Sequence, residues 1–246
     1  MTRTPPPGGI DLFDVERLHL AEAEEPPLPP SDAMARDLVW DGAVLANPAL
    51  FDGPVVACAG LERTGPRILR LSWVRVTYRH YGLRRVPGAT ALASLFVNVV
   101  QPTDDGRVTV ARMSPSTATP GRRQLPGGCV EPPPDGAGLD VCGLAGQAAR
   151  ELIEEVGVHA APATLRLWAV TRGKHGSVGL THVAPALPET ALRAAFASAA
   201  DAERDQGREP EPDGIAFVHS PRELAGRAGP HVDYPEPVVR RHAAGG

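Results

Sequence analysis

The stretch Arg150-Glu151-Leu152-Ile153-Glu154-Glu155-Val156-Gly157-Val158 sets three carboxylates at i, i+3 and i+4. It closes a longer segment in which Val141, Leu144, Ala145, Ala148, Leu152 and Val156 recur with a helical period. The spacing predicts a helix over 141–156, with Asp140 supplying the N-cap oxygen and Gly157 ending it. On that helix Glu151, Glu154 and Glu155 are neighbours on one face, about 5–6 Å apart at Cβ. Like charges so placed repel and weaken an isolated helix. A hard divalent cation, which takes oxygen ligands, turns that repulsion into coordination. At about 100° per residue, Glu155 falls between Leu144 and Ala148, on the edge of the apolar stripe, and Glu151 lies just outside it. A carboxylate held against the core is costly unless it is paired or metal-bound. Taken alone, the same residues also describe a solvated acidic helix face with Arg150 as a surface partner.

Working outward, residues 91–101 and 107–113 read as the two strands of a hairpin around Asp104-Asp105-Gly106. Gln124-Leu125 then leads into the turn Pro126-Gly127-Gly128, and a Pro/Gly/Asp-rich loop runs from Glu131 to Asp140. Beyond the helix, residues 165–171, 178–183 and 215–219 read as strands, 188–199 and 221–225 as helices, and 201–213 as a charged loop. Strands with interspersed helices indicate an α/β layered fold. Upstream, residues 37–90 hold short β-like runs separated by turn signals and are expected to form a small β-rich accessory unit. Residues 1–36, with seven prolines in the first 30 and many carboxylates, are expected to form a flexible tail, within which 11–20 is at most a short docked helix.

Composition narrows the function. Hydrophobic residues make up 42% of the 246, but aromatics only 4%, so the core must be aliphatic. A net charge of −4 provides no basic excess for a nucleic-acid backbone. Any substrate phosphate is then expected to be met by a metal and a few local arginines. Cys58, Cys129 and Cys142 match no disulfide or CxxC pattern, which fits a reducing, cytoplasmic setting. No apolar run is long enough to span a bilayer, and no signal peptide is expected.

Pro126-Gly127-Gly128, Glu131 and then Ala148-Ala149-Arg150-Glu151-Leu152-x-Glu154-Glu155-x-Gly157 resemble the Nudix box, the signature of Nudix hydrolases. In that family a Gly-Gly turn leads through a loop into a helix bearing Arg-Glu-x-x-x-Glu-Glu-x-Gly. The resemblance covers residues 91–246. It implies a Nudix-type α/β/α sandwich around a mixed sheet, with the β-rich segment as an N-terminal extension. Two departures stand out. Gly128 and Arg150 are 22 positions apart, an interval expanded by eight over the family's usual one, with the extra residues within 132–139. The family's acidic residue just before the helix is missing: Pro134 or Cys142 stands there, depending on the end counted from. Glu131, Asp135 and Asp140 are the nearby substitutes.

The resemblance further implies that Glu154 and Glu155 are the main ligands of Mg²⁺, or Mn²⁺, with Glu151 completing the set. Arg150 is then structural, tied to Glu131, while Gly127 and Gly128 permit the turn and Gly157 lets the chain leave the helix. Family members often recruit one more carboxylate from a loop near the last core strand. Glu211 is the first choice here, beside Glu209 and Asp213, and a loop charge in a solvated run is the alternative. For phosphate contacts the expectation falls on Arg112 and Arg123, beside Arg122, arginine's forked donors suiting phosphate oxygens. The implied activity is hydrolysis of a diphosphate linkage in a nucleoside diphosphate derivative, an NDP-sugar among them, with isoprenoid diphosphates as another class. The alternative is a catalytically weak Nudix domain acting as a nucleotide sensor or regulator. The expected partner is a small-molecule diphosphate, with no nucleic acid and no membrane; a homodimer stays open.

Overall fold

The computed structural model describes residues 9–245. Its strands are β1 (Asp11–Asp14), β2 (Arg17–Glu22), β3 (Pro54–Arg63), β4 (Ile68–Thr77), β5 (Ala93–Val100), β6 (Val108–Met113), β7 (Arg123–Gln124), β8 (Arg166–Arg172), β9 (Val178–Val183) and β10 (Pro212–Val218). The helices are α1 (Pro30–Ala46), α2 (Val141–Val156), α3 (Glu189–Asp205), α4 (Pro221–Ala225) and α5 (Pro235–Ala244), and a 3-10 segment spans Tyr78–Arg85. Seven strands form one mixed sheet in the order β1-β8-β9-β5-β3-β4-β2, and β10-β6-β7 form a second sheet. The protein is thus a mixed α/β structure. Among the described residues no helix is long and apolar enough to cross a membrane.

Strand β5 organises the core because its side chains alternate between faces. Leu95, Val97 and Val99 pack with Leu144, Ala148, Leu152 and Val156 of α2, together with Val170 and Leu180. On the other face Val100, with Phe96 against it, joins Val108, Val110, Leu125, Val218, Val238 and Val239. The core is mainly aliphatic, with Trp73, Phe217 and Tyr234 as its buried aromatics. Asp140 caps α2 by accepting from the Gly143 N–H at 2.6 Å, and Gly157 ends it at φ +73°. That left-handed conformation suits glycine, and a Cβ there would strike the Ala195 carbonyl and come within 3.0 Å of Ala199.

Three expectations need correction. Strands β5 and β6 form where the hairpin was expected, but they lie in different sheets. The hairpin closes only beside its turn, where Thr103 N–H donates to Arg107 and Thr109 N–H to Gln101. Farther along, the segment 126–130 takes the β5 edge. Val97 N–H donates to Gly128 O at 3.0 Å, Val99 N–H to Pro126 O at 2.8 Å, and Val130 N–H to Leu95 O at 3.0 Å. The expected tail lies partly outside the described residues, but from Asp11 onward it supplies β1 and β2, where a docked helix was the other option. Strand β1 pairs with β8 and β2 runs parallel to β4, so backbone pairing orders this segment despite its polar composition. The 37–90 stretch, expected as an accessory unit, extends the main sheet instead, through β3 pairing with β5.

Candidate functional site

The strap along β5 carries the Gly127-Gly128 turn onto α2. Gly127 lies at φ +152°, and a Cβ on it would collide with the Val97 carbonyl and stand 2.7 Å from Asn98 Cα. Only glycine lets the strap approach β5 so closely. At Gly128 a Cβ would overlap the Glu151 carboxylate, so this glycine makes room for the acid. Glu155 is 2% exposed, and its Oε2 accepts from Gly127 N–H at 2.9 Å. The strap and the helix are thus joined through a buried carboxylate.

Glu155 is held well above the ordinary carboxylate range, first by burial, then by the charges of Glu211 and Glu151; the Gly127 N–H offsets part of this. Burial, then Glu154 and Glu211, push Glu151 up to about 8. Glu154 is exposed. Glu211, in the bend before β10, is exposed on the cavity wall, yet desolvation, and then Glu154, raise its pKa. Four glutamates therefore share one electrostatic environment, three from α2 and one from a loop distant in sequence. Among the described residues no group of three or more histidine, cysteine, aspartate or glutamate side chains is placed so that it could hold a metal ion. In chemistry alone the donors suit a hard cation: all are carboxylates, and burial and mutual repulsion raise the pKa of Glu151, Glu155 and Glu211.

Glu151, Glu154 and Glu211, but not the buried Glu155, line a cavity of about 900 Å³, whose wall also includes Gly127, Gly128 and Glu209. Its cationic groups are Arg84, Arg122 and Lys174. The arginines favoured from sequence do not line it. Arg112 Nε donates to Asp213 at 2.5 Å, and Arg123 Nε donates to the Ala228 carbonyl at 3.0 Å. Arg122 and Arg123 are adjacent, and neighbouring extended residues point to opposite sides, so one reaches the cavity while the other does not. Arg84 was not singled out from sequence, since the 3-10 segment that carries it gives no signal of a phosphate-binding turn.

The ion pair expected between Arg150 and Glu131 forms, at 2.9 Å. Sequence reasoning missed its companion Gln147, one turn earlier. The Gln147 amide accepts from Glu131 N–H at 2.9 Å and donates to Glu131 O at 3.0 Å. The expanded loop beyond is fixed from the other side by Arg75 of β4. Arg75 donates to the Pro133 carbonyl at 2.7 Å and the Ala137 carbonyl at 3.3 Å, pairs with Glu22 at 2.9 Å, and lies over Trp73.

No known family model matches the chain, and no curated protein matches it. Among solved structures, the solution structure of the E. coli ORF135 protein is similar at 18% identity and a TM-score of 0.34, covering 60% of this chain and 86% of that one. A superposition that loose carries no argument about activity.

Proposed function

We propose that this chain is a Nudix-type hydrolase that cuts the diphosphate linkage of a nucleoside diphosphate derivative, an NDP-sugar among them, by attack of water on phosphorus. The observation that carries the reading is the cavity beside the Gly127-Gly128 turn, whose wall gathers Glu151, Glu154 and Glu211 with Arg84, Arg122 and Lys174, together with the buried Glu155 hydrogen-bonded to that turn. The Nudix-type sandwich belongs to the same proposal, with α2 on one face of the main sheet and the second sheet contributing to the other core.

Glu154 and Glu155, with Glu151, would hold Mg²⁺ or Mn²⁺. Such an ion, when bound, lowers the pKa of water and offsets charge on phosphate oxygens. Glu211 accepts the proton of the attacking water, and its raised pKa brings it nearer neutrality, where a general base works best. Arg84, Arg122 and Lys174 meet the phosphate oxygens and orient the linkage. Glu131, Gln147 and Arg150 keep the loop closed against the helix that presents the acids.

A second reading, binding without turnover, draws on the position before the helix, where Cys142 or Pro134 replaces the family's acid. Incubation with Mg²⁺ and a panel of nucleoside diphosphate derivatives separates the two. The hydrolase releases phosphate-ester products, and Glu154→Gln with Glu155→Gln lowers that rate by about a hundredfold or more. Binding without product across the panel supports the sensor, and turnover surviving the double substitution overturns the site.

A further inference from the structure

The chain has eleven aromatic residues, and four of them, Phe51, Tyr78, Phe96 and Tyr234, line the acidic cavity. Packing accounts for three of them, since Tyr234 and Phe96 belong to the second hydrophobic cluster and Tyr78 packs against the Val55-Ala57-Val74-Val76 cluster, but not for Phe51. Tyr234 is buried and faces Phe96 at 5.1 Å between centroids. The other pair is built differently. Tyr78 is half-buried and braced edge-on by Trp40 of α1 at 6.2 Å and by Tyr81 at 5.7 Å. Phe51, just beyond α1, is 78% exposed, although an exposed phenylalanine ring forfeits its hydrophobic stabilisation. Gly53 allows the ring to lie close, since a Cβ there would stand 2.9 Å from Phe51 Cε1.

Phe51 and Tyr78 also border a second cavity of about 360 Å³, completed by Pro54, Val55 and Pro132. Cys129, next to Gly128, lines both cavities. The two rings therefore stand within one short span of the acidic cluster, with Arg84 on the same cavity wall, its guanidinium 4.7 Å from the Tyr81 ring centroid.

We infer that Phe51 and Tyr78 are the seat of the substrate's nucleobase, which stacks on the exposed Phe51 ring while the diphosphate lies over the glutamates. The inference rests on the reading of the cavity as a nucleoside diphosphate site and adds to it the moiety that these rings recognise. A planar base with π-faces is the ligand that such a ring holds without a fixed hydrogen-bond pattern. The position is also suited to testing. Phe51 lies outside the buried core, so its replacement leaves the fold intact, and thermal melting checks this directly.

Calorimetric titration of the full chain with Mg²⁺ and α,β-methylene-ADP, beside the base-free methylenediphosphonate, isolates the base. Phe51→Ala weakens α,β-methylene-ADP about tenfold, in line with the loss of one stacked base. It leaves methylenediphosphonate within about twofold of wild type, and Phe51→Trp restores the nucleotide affinity. Equal nucleotide affinity in wild type and Phe51→Ala overturns the assignment, as does an equal loss for both ligands or no nucleotide binding to wild type. Nucleotide binding with the expected Phe51 dependence but no turnover of any diphosphate removes the hydrolase reading and leaves the base seat standing.

Discussion

At the scale of single residues, the two glycines of the strap do different work. Gly127 is required by backbone: its substituent would meet the Val97 carbonyl and Asn98 Cα, neither of which can move without disturbing β5. Gly128 is required by a side chain, since the atoms nearest its substituent are those of the Glu151 carboxylate. Gly128→Ala should therefore leave the melting temperature within about 3 °C of wild type, a change of at most ~1 kcal/mol, while displacing Glu151 and reducing kcat by about tenfold or more. Gly127→Ala should lower the melting temperature clearly, because strain at positive φ alone costs about 1–3 kcal/mol. Equal stability losses in the two variants would remove the distinction. The residue scale also shows where sequence reading succeeds and fails. Glu155 could be placed on the apolar stripe because the helical period fixes its direction, and it is 2% exposed. The cavity-facing cations could not be chosen, because strand parity and a partner such as Asp213, far along the chain from Arg112, are set by the tertiary fold.

At the scale of elements, α2 was legible from cap to cap, since Asp140, the apolar repeat and Gly157 all lie within it. Of its predicted apolar face only Val141 is exposed, at 39%, because the first turn overhangs the core. The loop from Glu131 to Asp140 was legible as an irregular connection but not as an ordered one: its anchors are Glu131 at one end and Arg75 of β4 along its length. Arg75 contributes through hydrogen bonds to two backbone carbonyls and a partly exposed pair with Glu22, which is worth little by itself. Arg75→Ala should thus loosen the loop locally rather than unfold the chain. Hydrogen exchange should rise selectively over 133–137 and proteolytic nicking should begin there, with the melting temperature lowered by no more than about 2–4 °C. Unchanged exchange in that loop would show that Leu139, 7% exposed and in the main core, suffices to hold it. The failed hairpin has a similar cause: 126–130 competes for the β5 edge, and local turn signals carry no record of such a competitor.

At the scale of the whole molecule, the sheet extends from β1 to β2 across segments that composition assigns to a tail and an accessory unit, because long-range backbone pairing leaves little trace in composition. That framework raises the pKa of Glu151 and Glu155, chiefly by burial, and stability must answer to pH. Glu151 has an ordinary value near 4.5 when unfolded and about 8 when folded, and Glu155 is raised as well. Below about pH 4.5 both states hold these protons and neither group opposes folding. Between there and pH 8 the unfolded chain releases protons that the folded chain retains, so the metal-free protein loses stability as pH rises through this window. The melting temperature of the chelated protein should fall by about 5 °C or more from pH 5 to pH 8, after correction for other groups. Glu151→Gln and Glu155→Gln should each flatten that fall, because an amide has no proton to lose. Mg²⁺ competes with the same protons, so its stabilising shift should be larger at pH 8 than at pH 5. A metal-induced shift that is the same at both pH values, or that persists undiminished in the double glutamine variant, would place the cation away from these acids.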